Sequence, residues 1–491
     1  MWKWIVTSVV ALVIVVGSVA YYLSDKIYLR FEHAVIAPSE FGKRYAPEAL
    51  RADFVYLTST VEHIHPNVAA ITDASYPQLK ANELASLGRS MTRVEFFRAV
   101  AVFVGRAYRD GHTEILAPQE EWDAYRQHGG KVPPFAIKIE PERIEIVSTD
   151  AVSIPSGAEL VSLNGVPAAV LRSWLLDTQS METQSGKEAY GAARFPIWVW
   201  AYGIRPPFAT VYRTRGETTP RTVTANGISA GDWKTAFTST NDRPMKLSIT
   251  NDVACLSVKN FEMPWDKYSD WLRSAFLKIH NAKVRAVILD LRENNGGDTR
   301  QSDALQSYLS VKQLPALQEV RVHTTPEVKA IYRTLLPDGF RWIPMNYVIP
   351  MLRGIQAAPD NGTYSFAPEG TAPADRNSSN PLVFTGDLYV LISPYTYSSA
   401  VIAAAPYKYW KRATMIGETT SEPMTFFGDN YEFDLPNTKL QMDVSHKQFR
   451  LFGSKGPDTG LAPDISVTPR NPDALAIARR LIAQKSRAHR T

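Results

Sequence analysis

The sequence predicts an α/β protein with a mostly parallel sheet, preceded by a helical region and a β-rich module. Between residues 31 and 119, apolar residues recur at spacings of three and four, which is typical of helices. Between residues 133 and 228, short alternating runs separated by Pro, Gly and Asp indicate strands. After Gly231, apolar strands alternate with helical patterns. A length of 491 residues allows about three such folded units.

The α/β part can be divided into successive strand and helix segments. Its predicted elements are, in order, a strand in VACLSV, a helix over KYSDWLRSAFLKI, a strand in AVILDL, a helix after Gly297, a strand in LYVLIS, a helix after Ser398 and a strand in ATMIG. We expect Pro406 to end or kink the helix after Ser398. In the helical region, Thr92 and Glu95 form a capping box that predicts a helix start near residue 92.

Composition and charge exclude several classes of function. The net charge of +5 arises from 54 basic and 49 acidic residues without a long basic run, so we expect no nucleic-acid partner. Cys255 is the only cysteine, which rules out an intramolecular disulfide. His63 and His65 in HIHP lack a third ligand at a recognisable spacing, so we expect no metal site and no cofactor.

The amino-terminal segment has the pattern of a membrane anchor. Residues 5–23 carry no charge and are numerous enough to cross about 30 Å of hydrocarbon as a helix. Trp2, Trp4, Tyr21 and Tyr22 flank this stretch at the positions of interfacial aromatics. We therefore predict an uncleaved transmembrane anchor over residues 1–30, and a single-pass membrane protein whose remaining chain is periplasmic or otherwise extracytoplasmic.

The first candidate site segment is the turn in AVILDLRENNGGDT. A buried strand leads into Gly296 and Gly297, where backbone amides can face a ligand without interference from Cβ atoms. Such amides could form an oxyanion hole. The alternative is an ordinary glycine-rich connection between a strand and a helix.

The second and third candidate segments supply a hydroxyl and an imidazole. In LYVLISPYTYSSAVIAAA, Ser398 and Ser399 open a helix, where the helix dipole favours a developing negative charge. The alternative role for either serine is that of a simple N-cap. His112 in DGHT could act as a general base, because imidazole titrates near neutral pH, or could be structural.

Taken in order, several motifs resemble those of the tail-specific serine peptidase family, which includes C-terminal-processing and tricorn-type members. These motifs are DGHT, GAELVSLNG, DLRENNGG, TYSSA, IGETT, LPNT and GLAPDISV. The resemblance implies an α/β catalytic core of the ClpP/crotonase-like type and a PDZ-like β-rich module. It also implies that Ser398 is the nucleophile, and that the amide of Ser399 and that of Gly296 or Gly297 form the oxyanion hole.

The resemblance also indicates which base to expect. The processing-type branch uses a lysine about 25 residues beyond the serine, but residue 423 is a proline and residues 413–438 contain no lysine. Tricorn-like members use a histidine, which corresponds to His112, although Gly111 stands where tricorn has a serine. An acid near the final motif corresponds to Asp458, and Glu418 in IGETT is a second candidate.

These expectations together predict a membrane-anchored serine peptidase that hydrolyses extended or C-terminal polypeptide segments. The predicted segments are an anchor (1–30), a helical domain (31–125), a PDZ-like module (130–228) and a peptidase core (229–480). The alternative is a non-catalytic protein that binds a peptide or an apolar ligand on the same scaffold. In that case, the aromatic stretch FPIWVWAYG would line an apolar cavity near Trp198 and Trp200.

Overall fold

The structure is a computed structural model of the chain. It describes residues 31–148, 153–233, 244–333, 350–368, 372–375, 377, 379–456, 459–468 and 473–488. The predicted anchor over residues 1–30 and the candidate acid Asp458 therefore lie outside the described residues. None of the helices within these ranges is both long enough and apolar enough to cross a membrane.

The first part of the described chain is helical, as predicted. After a short 3₁₀ turn, five helices follow: α1 (Pro47–Ile64), α2 (Val68–Ile71), α3 (Tyr76–Ser86), α4 (Arg93–Ala107) and α5 (Gln119–Gln127). The predicted capping box is confirmed, because Thr92 accepts a hydrogen bond from the Glu95 amide and Glu95 accepts one from the Thr92 amide. The apolar faces of α1 and α4 meet at an edge-to-face contact between Phe54 and Phe103.

The second part contains the predicted strands together with three helices. Its elements are β1 (Lys131–Val132), β2 (Ala136–Ile139), β3 (Ile144–Ser148), β4 (Ala158–Leu163), β5 (Val166–Pro167), α6 (Ala168–Asp177), α7 (Gln184–Ala193), α8 (Phe195–Tyr202), β6 (Phe208–Arg213), β7 (Arg221–Ala225) and β8 (Ile228–Ser229). Strands β2, β3, β4, β6 and β7 form an antiparallel sheet in that order. Helices α7 and α8 were not predicted, and α7 contributes to the site described below.

The predicted α/β core is confirmed. Its elements are β9 (Met245–Thr250), β10 (Val253–Val258), α9 (Trp265–Asn281), β11 (Ala286–Asp290), α10 (Thr299–Leu309), β14 (Asp387–Ile392), α13 (Ser399–Tyr409), β15 (Thr414–Gly417), β18 (Ile465–Ser466) and α14 (Ala474–Ala488). The sheet order is β9, β10, β11, β14, β15, β18, and only the edge strand β9 is antiparallel to its neighbour. Alternate side chains of β11 and β14 face α14 on one side and the main core on the other.

A second, antiparallel sheet adjoins this core. It contains β12 (Leu317–Thr324), β13 (Gly362–Phe366), β16 (Thr425–Asp434) and β17 (Gln441–Leu451), with α11 (Pro326–Arg333) and α12 (Pro350–Ala357) between β12 and β13. The segment that follows His112 pairs with β17, where the Glu114 amide donates to the Asp443 carbonyl. This pairing joins the helical region to the second sheet.

One local prediction was wrong. Helix α13 continues through Pro406 to Tyr409, although we expected the proline to end or kink it. The flanking residues Ala405 and Tyr407 are buried, at 1% exposure each. Tertiary packing along the whole helix therefore compensates for the hydrogen bond that proline cannot donate.

Candidate active site

Ser398 lies at the turn between β14 and α13, beyond the carboxyl end of a central strand. Its backbone has φ 53° and ψ −127°, a conformation that side-chain-bearing residues rarely adopt. Although Ser398 occupies the N-cap position, its side chain makes no capping hydrogen bond. The hydroxyl is therefore not committed to the helix end, and the strained backbone turns it outward, as at functional strand-to-helix turns.

The neighbouring turn after β11 lies against Ser398. The Tyr397 amide donates to the Asn294 carbonyl, and the Thr396 hydroxyl donates to the Leu291 carbonyl, so the two turns are joined. A Cβ atom on Gly296 would lie 2.7 Å from the Ser398 Cβ. Only glycine therefore allows the two turns to approach this closely, which explains why residue 296 is a glycine.

Two backbone amides near Ser398 remain available. The Gly296 amide donates to the Asn294 side-chain oxygen at 2.9 Å. By contrast, the amides of Gly297 and Ser399 have no acceptor within the described part of the chain. The Ser399 hydroxyl donates to the Gly297 carbonyl, which holds the two residues together. Gly297 and Ser399 are thus the better placed of the three predicted oxyanion-hole donors.

His112 faces Ser398 across the cleft. Its Nε2 atom lies 3.1 Å from the Ser398 Oγ atom. The imidazole is stacked between the rings of Tyr397 and Phe426, at centroid distances of 5.0 Å and 6.1 Å. Burial lowers the pKa of His112 below 6.5, although nearby carboxylates oppose this change. A neutral imidazole at this position can accept a proton from the serine hydroxyl.

Glu422 connects the nucleophile to the base. One carboxyl oxygen, Oε2, accepts the Ser398 amide hydrogen at 2.5 Å. The other, Oε1, lies 3.6 Å from Nδ1 of His112, and neither of these two atoms has a hydrogen-bond partner within the described chain. Burial and the neighbouring Glu182 raise the pKa of the Glu422 carboxyl well above its usual range. A modest closure would allow Nδ1 to donate to Glu422.

Asp110 fixes the loop that carries His112. Its carboxylate accepts hydrogen bonds from the hydroxyls of Thr113 and Ser445 and from the His112 amide. The Nε2 atom of His65 lies 3.3 Å from it. Burial alone would raise the pKa of Asp110, but His65, His112 and these hydrogen bonds lower it to about 2. Asp110 is therefore the ionised member of the acidic group around His112.

Glu182 completes this acidic group. Its carboxyl oxygens accept hydrogen bonds from the Tyr397 hydroxyl and the Gly111 amide. Burial and the charge of Asp110 raise the pKa of Glu182 to about 8. Ligand atoms of Asp110, His112 and Glu182 lie within 4.8 Å of one another, a spacing that a divalent cation could bridge. The oxygens of both acids already accept hydrogen bonds, so the hydrogen-bonded arrangement is complete without such an ion.

The nucleophile and the base open into a cleft of about 460 Å³. Gly297 and Ser399 line it beside Ser398, and Phe426, Gly428 and Phe449 form the opposite wall. From α7, Tyr190 lines the cleft, as does Arg194 just beyond that helix. The arrangement can therefore place an extended chain between a nucleophilic hydroxyl, a base and two free amides.

Residues 252–467, which include both strand-to-helix turns, match the model of peptidase family S41. This part of the chain has the sequence features of peptidase family S41. The family resemblance predicted from the motifs is confirmed, and the chain is a serine-type peptidase. No curated protein sequence matches the chain.

The chain is similar to several solved structures, and the two structures of CPAF share its fold. Mature CPAF is 12% identical, with a TM-score of 0.55 over 86% of this chain and 93% of that chain. Mature CPAF complexed with lactacystin is 13% identical, with a TM-score of 0.55 over 86% and 94% of the two chains. The photosystem II D1 C-terminal processing protease is 14% identical, with a TM-score of 0.44 over 86% and 93%. At these identities, the likeness to CPAF shows the fold alone.

The structure brings most of the predicted S41 site residues together. Ser398, His112, Gly297 and Ser399 all line the cleft, and Gly296 lies directly behind Ser398. Glu418 is exposed and is not among the residues that line the cleft. Glu418 lies at the surface just after β15, and the other predicted acid, Asp458, lies outside the described residues.

Sequence reasoning missed the three acids near His112, of which Asp110 and Glu422 are buried and Glu182 is half-buried. Asp110 stands two residues before His112 in DGHT, and this proximity could have indicated its role. Glu422 and Glu182 are distant in sequence, and no spacing pattern relates them to His112. Only the folded chain brings them together, through the loop after β15 and the loop before α7.

The aromatic stretch that suggested an apolar cavity packs in the core. Trp198 stacks on Phe97 at 5.2 Å and is 3% exposed. Trp200 packs against Trp122 at 5.4 Å and is 5% exposed. Because other aromatic rings occupy the space beside both indoles, the predicted role of this stretch in ligand binding finds no support.

Proposed function

We propose that the chain is a membrane-anchored endopeptidase that cleaves extended polypeptide segments, with Ser398 as nucleophile and His112 as general base. The observation that carries the proposal is the 3.1 Å separation of His112 Nε2 and Ser398 Oγ beside two free amides. The neutral imidazole favoured by burial is the form that can take the serine proton.

The proposed reaction follows the acyl-enzyme route. His112 takes the Ser398 proton while Oγ attacks the peptide carbonyl, and the Gly297 and Ser399 amides hold the resulting oxyanion. His112 then gives the proton to the leaving amine, and water releases the acyl group by the same steps. One such amide donor typically contributes a factor of about 10² to 10³ in rate.

We assign Glu422 as the group that orients His112. One of its oxygens accepts a hydrogen bond from the Ser398 amide, and the other lies beside Nδ1 of the imidazole. In this role, it holds the hydrogen on Nδ1 and leaves Nε2 free to accept the serine proton. Asp110 keeps the loop of His112 in place and stabilises the imidazolium at longer range, 4.0 Å from Nδ1.

Two further parts of the proposal concern location and substrate delivery. We propose that residues 1–30 anchor the enzyme and that the peptidase core is extracytoplasmic, because residues 5–23 are uncharged and long enough to span a bilayer. We also propose that residues 130–228 act as a PDZ-like module that guides an extended substrate. Contacts between this region and the α/β core support that role, such as the hydrogen bond from Thr183 to the Ser421 carbonyl, next to Glu422.

The test is hydrolysis of a diverse peptide library by the full chain in detergent. We expect the wild-type protein to generate new peptide termini, and the variants Ser398→Ala and His112→Ala to lose at least about 10³-fold of this activity. Thr92→Ser, which keeps a hydroxyl at a site remote from the cleft, serves as the control. Undiminished hydrolysis by Ser398→Ala would contradict the assignment of the nucleophile.

A further inference from the structure

We propose that Gly428 forms one wall of a subsite that receives an uncharged, apolar side chain on the leaving side of the scissile bond. This inference rests on the proposed function, because it concerns the residue whose amine is released by Ser398. The cleft would then select polypeptides with an apolar residue immediately after the cleaved bond.

The space beside His112 is open because residue 428 has no side chain. Gly428 lies on β16 and lines the cleft with Ser398 and His112. A Cβ atom at this position would lie 3.6 Å from both Cε1 and Nε2 of His112, and 3.4 Å from the ring of Phe449. A methyl group would therefore occupy the volume directly in front of the nitrogen that handles the proton.

The chemistry assigns this volume to the leaving group. The carbonyl oxygen of the substrate must point to the amides of Gly297 and Ser399, neither of which is among the nearest neighbours of Gly428. The amine must reach His112 Nε2, because it takes the proton from this atom as the C–N bond breaks and the acyl group stays on Ser398 Oγ. The residue that carries the amine consequently lies against Gly428.

The surroundings of Gly428 favour an apolar side chain. Phe449 is half-buried and stacks on Phe426 at 5.2 Å, so it offers a ring face to the cleft. The neighbouring carboxylate of Asp429 forms an ion pair with Lys447, which neutralises its charge. Glu432 on the same strand is likewise paired, with His33. A charged side chain on the substrate would therefore compete with these existing ion pairs, whereas an apolar one would bury its surface on Phe449.

The decisive variant is Gly428→Ala in the full chain. The backbone at residue 428 does not have a positive φ, and the added methyl group would be in ordinary van der Waals contact, so we expect the variant to fold. Gly88→Ala is the matched control, since a Cβ atom there would meet nothing within 4 Å. Phe449→Ala changes the same wall in the opposite direction by removing its ring.

Two measurements are made on each protein. The first is the rate of labelling by a fluorophosphonate, whose leaving group is fluoride and does not need the subsite. The second is the distribution of new amino-terminal residues after cleavage of a peptide library derived from an unrelated proteome, read by mass spectrometry. The labelling rate reports the nucleophile and the fold, and the distribution reports the subsite.

We expect wild-type cleavage to be enriched before apolar residues. In Gly428→Ala, we expect cleavage before Leu and Phe to fall by about tenfold or more relative to cleavage before Gly and Ala, whatever the overall rate of the variant. Phe449→Ala should reduce the apolar preference, and Gly88→Ala should change nothing.

Three results would overturn the subsite. These are wild-type cleavage without an apolar preference, labelling of the wild type without cleavage of any library peptide, and an unchanged distribution in a Gly428→Ala variant that labels normally. A wild-type protein that neither labels nor cleaves would overturn the proposed function itself, and the subsite with it.

Discussion

At the scale of residues, catalysis depends on which nitrogen of His112 carries the proton. In the proposed arrangement, Nδ1 donates towards Glu422 while Nε2 accepts from Ser398, and the distances of 3.6 Å and 3.1 Å place both partners on the correct sides of the ring. The stacking of Tyr397 and Phe426 on the imidazole limits its rotation. The orientation of the base therefore comes from packing as well as from Glu422.

The variant Glu422→Gln tests this orientation. If the glutamine oxygen accepts from the Ser398 amide, its NH₂ group faces Nδ1 and favours the wrong tautomer of His112. If the glutamine is turned the other way, its NH₂ group faces the Ser398 amide and that hydrogen bond is lost. We expect kcat to fall by about 10² to 10⁴-fold without loss of the fold. The control is Glu418→Gln, which changes an exposed acid of the same loop. Activity of Glu422→Gln within about threefold of wild type would remove Glu422 from the mechanism.

The acids around His112 also predict the pH dependence. Activity requires neutral His112 and is strengthened by an ionised Glu422, so it should rise as pH increases through the pKa of each group. The charge of Glu182 raises the pKa of Glu422. Glu182→Gln removes that charge, and we expect the part of the rising limb of kcat/KM that reports Glu422 to move to lower pH, by roughly half a unit or more. A limb that stays in place or moves to higher pH would show that Glu182 does not act on Glu422.

The sequence could predict some of these residues and not others. Ser398, His112 and the two glycines stand in short motifs whose order is specific, so their proximity was predictable. Glu422 and Glu182 are made unusual only by burial and by neighbouring carboxylates, as the raised pKa of each indicates. Their roles arise from tertiary contacts that no local pattern records. The strained φ of Ser398 likewise follows from the folded turn.

At the scale of elements, the clearest local signals predicted structure well. The strands β10, β11, β14 and β15 are apolar runs that a helix follows or precedes, and each appears where the alternation placed it. Helices α7 and α8 were missed because their sequence is rich in Gly and aromatic residues, and their helical state depends on packing against β2 and α4. Pro406 was misread for the related reason that tertiary packing outweighs its local preference.

The helix start at Thr92 gives an element-scale prediction. Thr92 and Glu95 satisfy each other's backbone amides at the start of α4, the helix that leads to DGHT. Thr92→Ala removes one of these hydrogen bonds, and we expect the free energy of unfolding to fall by about 1 kcal/mol. Chemical denaturation measures this change, with Thr92→Ser expected to retain most of the stability. Equal stability of the alanine and wild-type proteins would contradict the role of the cap.

At the scale of the whole molecule, the site is an assembly of distant parts. His112 comes from the helical region, Glu182 from the β-rich region, and Ser398, Gly297 and Glu422 from the α/β core. The segment after His112 pairs with β17, and this pairing aligns the helical region with the α/β core. The α/β class was predictable from alternation, whereas this pairing was not, because it joins residues more than 300 positions apart.

Membrane attachment is a second whole-molecule prediction. If residues 1–30 form an anchor, the full chain should sediment with membranes, resist extraction by alkaline carbonate and dissolve in detergent. Removal of residues 1–30 should release the protein into the supernatant with its peptidase activity intact, because the described site lies between residues 110 and 450. Carbonate extraction of the full chain would contradict the anchor and leave the catalytic assignment unaffected.

Covalent labelling by a fluorophosphonate is the sharpest test of whether His112 activates Ser398. The label reacts with an activated serine whatever the natural substrate, and mass spectrometry of the labelled peptide identifies the modified residue. We predict a single labelled site at Ser398 in the wild-type protein, no labelling of Ser398→Ala, and labelling of His112→Ala slowed by at least about 10³-fold. A label on another residue, or unchanged labelling in His112→Ala, would contradict the account.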